Sequence, residues 1–175
     1  MKRYREADSI LEMLTPLQIA SVADIYYNGS GVEIDRRKAM ELYAMAAEKG
    51  DPYALWILGM AYSEGKDVDR NEGKALEMLE KAAEFGVPIA QYEMAMRIPD
   101  EKGALLWLYL SAKAGFGPAM KELSDRLQSV DPQKAKKWLT RYYRCRGDIS
   151  PGEWLGKAGC RPRPVAVNGK VMVKL

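Results

Sequence analysis

Histidine is absent from the 175 residues. With it go the imidazole general base, the Ser-His-Asp and Cys-His nucleophile pairs, and every histidine metal ligand. Cysteine is almost absent: Cys145 and Cys160 are too few for a four-thiolate zinc site or a disulfide-stapled scaffold, and a reducing compartment is the expectation. No run approaches the roughly 20 apolar residues that span a bilayer. Met1-Lys2-Arg3-Tyr4 is followed by no uninterrupted apolar stretch before Thr15-Pro16, so no signal peptide is expected and the protein reads as cytoplasmic. What remains is 47% hydrophobic and 29% charged, with a mean hydropathy of -0.34. That balance suits one folded domain or a short repeat array.

Charge divides the chain unevenly. Residues 1–131 carry 16 Lys/Arg against 22 Asp/Glu, whereas residues 132–175 carry 11 against 2. The net charge of +3 therefore joins an acidic body to a basic end.

The body repeats itself. Met45-Ala46-Ala47-Glu48-Lys49-Gly50-Asp51-Pro52 returns 36 residues later as Lys81-Ala82-Ala83-Glu84-Phe85-Gly86-Val87-Pro88, and again after 29 as Ser111-Ala112-Lys113-Ala114-Gly115-Phe116-Gly117-Pro118. Thr15-Pro16, Asp51-Pro52 and Asp131-Pro132 place a capping oxygen before a proline whose φ is preset for a helix, and Gln18 completes a capping box with Thr15. Pro88 and Pro118 open helices by the proline alone, and Gly50, Gly86 and Gly115 close them where a left-handed residue is needed. Asn28-Gly29-Ser30-Gly31-Val32 and Glu64-Gly65-Lys66-Asp67-Val68 form matching loops between paired helices. Ala39, Ala47, Ala75 and Ala83 mark faces where a neighbouring helix can approach closely.

Leu58-Gly59, Tyr62, Gly65, Lys74-Ala75 and Ala82-Ala83-x-x-Gly86 form the alternation of one unit; Tyr26, Gly29, Lys38-Ala39 and Ala46-Ala47-x-x-Gly50 form that of the unit before. This pattern resembles the Sel-one-like repeat, a branch of the tetratricopeptide-type helical repeats. A third unit has a shortened loop at Ile98-Pro99-Asp100, and a fourth is faint at about 118–146. The resemblance implies an all-α, right-handed α-α superhelical solenoid of about four helix pairs. The expected organisation is an N-terminal cap over 1–15, repeats over 16–146, and a basic extension over 147–175.

By the same resemblance the first helix of each pair lines a concave groove. With Ala23, Gly59, Ala95 and Ser124 taken as equivalent small residues, the groove carries Asp24, Tyr27, Tyr53, Trp56 and Met60, followed by Tyr92, Met96, Lys121 and Asp125. Aromatics and methionines at such positions suit an apolar helix or an extended peptide from another protein. The competing reading is that each ring is simply packing core. The resemblance implies scaffolds and adaptors, including bacterial regulatory and toxin-immunity proteins, with no catalytic residues, metal or cofactor.

Other motifs carry less. Asp67-x-Asp69-x-Asn71 approximates a calcium loop, but its glycine falls at Gly73, one position late, and Met78 stands where the closing glutamate belongs. Gly29-Ser30-Gly31 has no strand before it and is no dinucleotide fingerprint. Lys134, Lys137, Arg141 and Arg144 recur at three or four residues with Trp138, Tyr142 and Tyr143 among them, and offer the alternative of binding nucleic acid or an acidic partner. Without a recognised module, nucleic acid is the disfavoured of these. Val165–Val173 around Asn168-Gly169 reads as a small β-hairpin that caps the array or is exchanged between two copies.

Overall fold

The computed structural model describes residues 13–145, and every regular element among them is an α-helix. In order these are α1 (Pro16–Asn28), α2 (Arg36–Glu48), α3 (Pro52–Glu64), α4 (Glu72–Glu84), α5 (Pro88–Arg97), α6 (Glu101–Lys113), α7 (Gly117–Leu127) and α8 (Pro132–Cys145). The expected β-hairpin and most of the expected N-terminal cap lie outside the described residues.

Local chemistry sets these boundaries. Thr15 Oγ1 accepts from Gln18 N at 3.3 Å while Thr15 N donates to Gln18 Oε1 at 2.9 Å, closing the capping box on α1. Asp51 accepts from Ala54 N at 2.7 Å and Asp131 from Lys134 N at 3.0 Å. The helices α5 and α7 start with proline in the first turn and no side-chain cap. Three helix ends share one closure: Gly50, Gly86 and Gly115 take φ of 87°, 85° and 103°. Beyond them Asp51 N donates to Ala46 O, Val87 N to Ala82 O and Phe116 N to Ser111 O. The two seven-residue loops, 29–35 and 65–71, also match, since Gly29 N donates to Ile25 O and Asp35 N to Tyr26 O, as Gly65 N does to Ala61 O and Asn71 N to Tyr62 O.

The chain divides into two compact units, Met1–Lys81 and Ala82–Leu175, with the boundary inside α4. In the first unit, α1 packs on α2 and α2 on α3. Its core holds Ile19, Ala23, Ala39, Leu42, Tyr43, Ala46, Ala54 and Leu58. Gly59 is the tightest point, because a Cβ built there would lie 2.8 Å from Leu79 Cγ. In the second unit, α5 packs on α6, α6 on α7 and α7 on α8, around Ala95, Leu108, Ala112, Phe116, Ala119, Met120 and Leu123. Buried polar side chains there bond backbone: Ser111 Oγ donates to Pro88 O at 2.6 Å, Ser124 Oγ to Ala135 O at 2.9 Å, and Gln91 Nε2 to Ala83 O at 3.1 Å. Of the small residues taken as close-approach points, Ala39, Ala75 and Ala83 are buried, but Ala47 is half-buried; its neighbour Ala46 occupies the core instead.

Candidate functional site

Repeat geometry in the first unit places the same face of α1 and α3 on either side of α2. Asp24, Tyr27 and Asn28 come from α1, Tyr53, Trp56, Ile57 and Met60 from α3, and Met40 and Tyr43 from α2 between them. They line one depression of about 320 Å³, with Glu64, Lys66 and Asp67 also on its lining. All five groove residues expected in this part of the chain, Asp24, Tyr27, Tyr53, Trp56 and Met60, belong to that lining. Tyr53 is 43% exposed; Asp24, Tyr27, Trp56 and Met60 are half-buried.

The rings are mutually braced. Tyr27 meets Tyr43 edge-on at 6.4 Å between centroids, and Tyr53 tilts against Trp56 at 5.5 Å. The Trp56 Nε1 donor is buried without an acceptor, a shortfall worth about 1–3 kcal/mol. At the rim the Arg36 guanidinium lies 4.9 Å over the Tyr27 ring and 3.4 Å from Asp67 Oδ2. Asp67 is therefore paired with an arginine inside the protein, which is where the approximate calcium loop ends up.

Tyr43 organises the floor. It is 2% exposed, and its hydroxyl donates to Asp24 Oδ1 at 2.5 Å. Burial, and then the bond to the Asp24 carboxylate, push its pKa far above the ordinary tyrosine value. Burial also raises Tyr53, with the Asp24 and Asp51 carboxylates acting in the same direction. The phenol is thus held neutral, and Asp24 receives a hydrogen bond but no compensating cation from it.

Tyr43 was not among the sequence candidates, and a signal for it existed. The repeat shifts of 36 and 29 align Tyr43 with Leu79 and Leu108, both fully buried core leucines. Two successive shifts of 36 align Asp24 with Met60 and Met96. A polar tip at a core-leucine position and a carboxylate at a methionine position are departures within one repeat, and they meet.

The remaining expected groove residues lie in the second unit. Tyr92 is half-buried and meets Phe116 edge-on at 5.5 Å, packing against the core there. Burial, with Glu122 and Glu93 nearby, raises its hydroxyl pKa. Met96, Lys121 and Asp125 are exposed. Arg126 bonds Glu122 at 2.8 Å and Glu101 at 3.1 Å, tying α7 to α6.

The expected basic face on α8 is partly engaged. Lys134 pairs with Asp131 at 2.9 Å. Arg141 is half-buried, 5.5 Å over the Trp138 ring, and donates to Lys113 O at 3.4 Å. Lys137 and Arg144 are exposed. Among the described residues no group of three or more acidic or cysteine side chains gathers into a metal site, and no helix is long and apolar enough to cross a membrane.

The Sel1 repeat family model matches residues 19–51, 52–86, 88–116 and 123–141. Among solved structures, a Sel1 repeat protein from Oxalobacter formigenes is similar at 26% identity and a TM-score of 0.71, over 83% of this chain and 63% of that one. A protective antigen present in uropathogenic Escherichia coli strains, displaying an SLR fold, is similar at 25% identity and a TM-score of 0.67, over 84% of this chain and 35% of its own length. This chain thus spans about two thirds and one third of those two proteins. No curated protein matches it.

Proposed function

This chain belongs to the Sel1 repeat family, whose fold generally serves as a protein–protein interaction module, and on that premise we propose that it is a non-enzymatic scaffold or adaptor. It holds a partner protein against the depression between α1 and α3. The observation that carries this reading is the clustering of half-buried and exposed aromatics, Tyr27, Tyr53 and Trp56, with the Asp24 carboxylate at one concave place. Protein interfaces favour rigid aromatic anchors at their centres, and a partner's side chains gain by covering rings that water now wets. A regulatory or toxin-immunity role in a bacterial cytoplasm is the form of this activity we favour; the bacterial structural neighbours and the scarcity of cysteine support it. The α8 basic face is the weaker surface, since Lys134 and Arg141 already have partners within the protein.

Affinity capture from nuclease-treated host lysate tests the reading. Wild-type protein is expected to hold a partner that the Trp56→Ala, Tyr53→Ala double variant loses while its helical circular dichroism is unchanged. Capture that persists in the double variant, or that disappears with nuclease, overturns it.

A further inference from the structure

We infer that the depression between α1 and α3 receives a cationic side chain, guanidinium or ammonium, from an extended segment of the partner protein, with Asp24 as its counter-charge. The inference rests on the docking reading above and specifies what docks.

Asp24 is half-buried, and its donor is the neutral phenol of Tyr43. Its charge is therefore hydrogen-bonded but not matched by a cation. An apolar occupant would strip water from that carboxylate and give nothing in return, and an acidic one would add repulsion. A cation is the occupant whose arrival compensates the desolvation, and the walls favour it further, because aromatic faces attract positive charge. The chemistry already operates at the rim: Arg36 sits between the Tyr27 ring and the Asp67 carboxylate. Asp24 shares the depression's lining with Tyr53 and Trp56, a second combination of carboxylate and rings without the arginine. With Asp67 already matched by Arg36, the lining still holds two carboxylates, Asp24 and Glu64, against one cation, Lys66. The size agrees, since about 320 Å³ is at the bottom of the roughly 300–1,000 Å³ range of small-molecule pockets. It suits one long side chain with its flanking backbone.

The test titrates the full chain with acetyl-Ala-Arg-Ala-amide and with counterparts carrying citrulline, leucine or glutamate at the centre. The reporter is the indole N–H NMR signal of Trp56, assigned by its loss in Trp56→Phe. A saturable shift is expected with the arginine peptide, and binding weaker by about tenfold or more with citrulline, which keeps the shape and loses the charge. Asp24→Asn is expected to bind the arginine peptide about as weakly as wild type binds citrulline. Unchanged circular dichroism and unchanged signals of the other indoles in Asp24→Asn guard against reading a folding defect as lost recognition. Equal binding of the citrulline or leucine peptide, preference for glutamate, indifference to Asp24→Asn, or no saturable shift with the arginine peptide would each overturn the inference. If a captured partner depends on Trp56 but tolerates Asp24→Asn, docking stands and the cation inference falls. If the arginine peptide binds as described while capture ignores Trp56 and Tyr53, the docking reading falls alone.

Discussion

The two units use the same kind of residue for opposite purposes. In the first, Trp56 lines an open depression with Tyr53 tilted beside it. Its equivalent 36 residues on, Tyr92, is packed edge-on against Phe116. The first unit keeps a seven-residue loop, 65–71, after a 13-residue α3; at the corresponding place the second has only Ile98-Pro99-Asp100 after a 10-residue α5. Where Lys38 covers Tyr26 and Lys74 covers Tyr62, the corresponding positions hold Ile98 and Gly103. The shortened repeat lacks the polar loop and the side chains that hold it, and its aromatic, as half-buried as Trp56, packs on Phe116.

The largest effect is expected at Tyr43, which belongs both to the core and to the depression's lining. Tyr43→Ala removes a buried ring and the Asp24 donor together, at an expected cost of about 3–5 kcal/mol in denaturant unfolding. Leu108→Ala, at the equivalent position of the second unit, is expected to cost about 2–5 kcal/mol and to leave the Asp24–Tyr43 contact in place. The discriminating measurement is therefore peptide binding at equal residual stability. Loss of arginine-peptide binding in both variants alike would refute the division of labour between the units.

Most of the architecture was legible because its causes are local. Thr15, Asp51, Gly50 and Gly86 act within a turn of where they stand, so spacing alone identified helix starts, helix ends and the matching loops. The site was half legible. The repeat register put Asp24, Tyr27, Tyr53, Trp56 and Met60 on one surface, because equivalent positions of equivalent helices face the same way. That Tyr92 would pack on Phe116 depended on where a shortened loop delivers the next helix, and no periodicity encodes that. Nor does periodicity encode the reach of the Tyr43 hydroxyl across 19 positions to Asp24.

Titration sharpens the comparison by a smaller amount. Folding raises the Tyr43 pKa above its ordinary 10.0, through burial first and the Asp24 bond second. The native state therefore favours the neutral phenol. The stabilisation is complete below the ordinary value and diminishes as pH rises past it, because only the unfolded chain can then ionise freely. Denaturant midpoints are expected to fall between pH 9 and pH 11 in wild type, and to fall less in Tyr43→Phe, where Tyr53, Tyr92 and Lys38, whose pKa values are also raised, still contribute. An unchanged slope in Tyr43→Phe would mean that the hydroxyl is not held neutral by the fold.

The smallest expected effect concerns the loops that distinguish the regular unit. Lys38 Nζ lies 4.3 Å from the Tyr26 ring centroid and donates to its hydroxyl at 3.0 Å, whereas Lys74 Nζ lies 5.2 Å from the Tyr62 centroid. Both lysines are exposed, so water and salt weaken the attraction. Each is expected to contribute no more than about 0.5–1 kcal/mol. Lys38→Met should cost more than Lys74→Met, because it also removes a hydrogen bond, and the gap should narrow in 1 M salt. Unfolding measured with urea, which adds no ionic strength, resolves that difference. If the two substitutions cost the same at low salt, the lysines act only as aliphatic covers over the tyrosine rings, and the backbone bonds to Ile25 O, Tyr26 O, Ala61 O and Tyr62 O hold the loops without their charge.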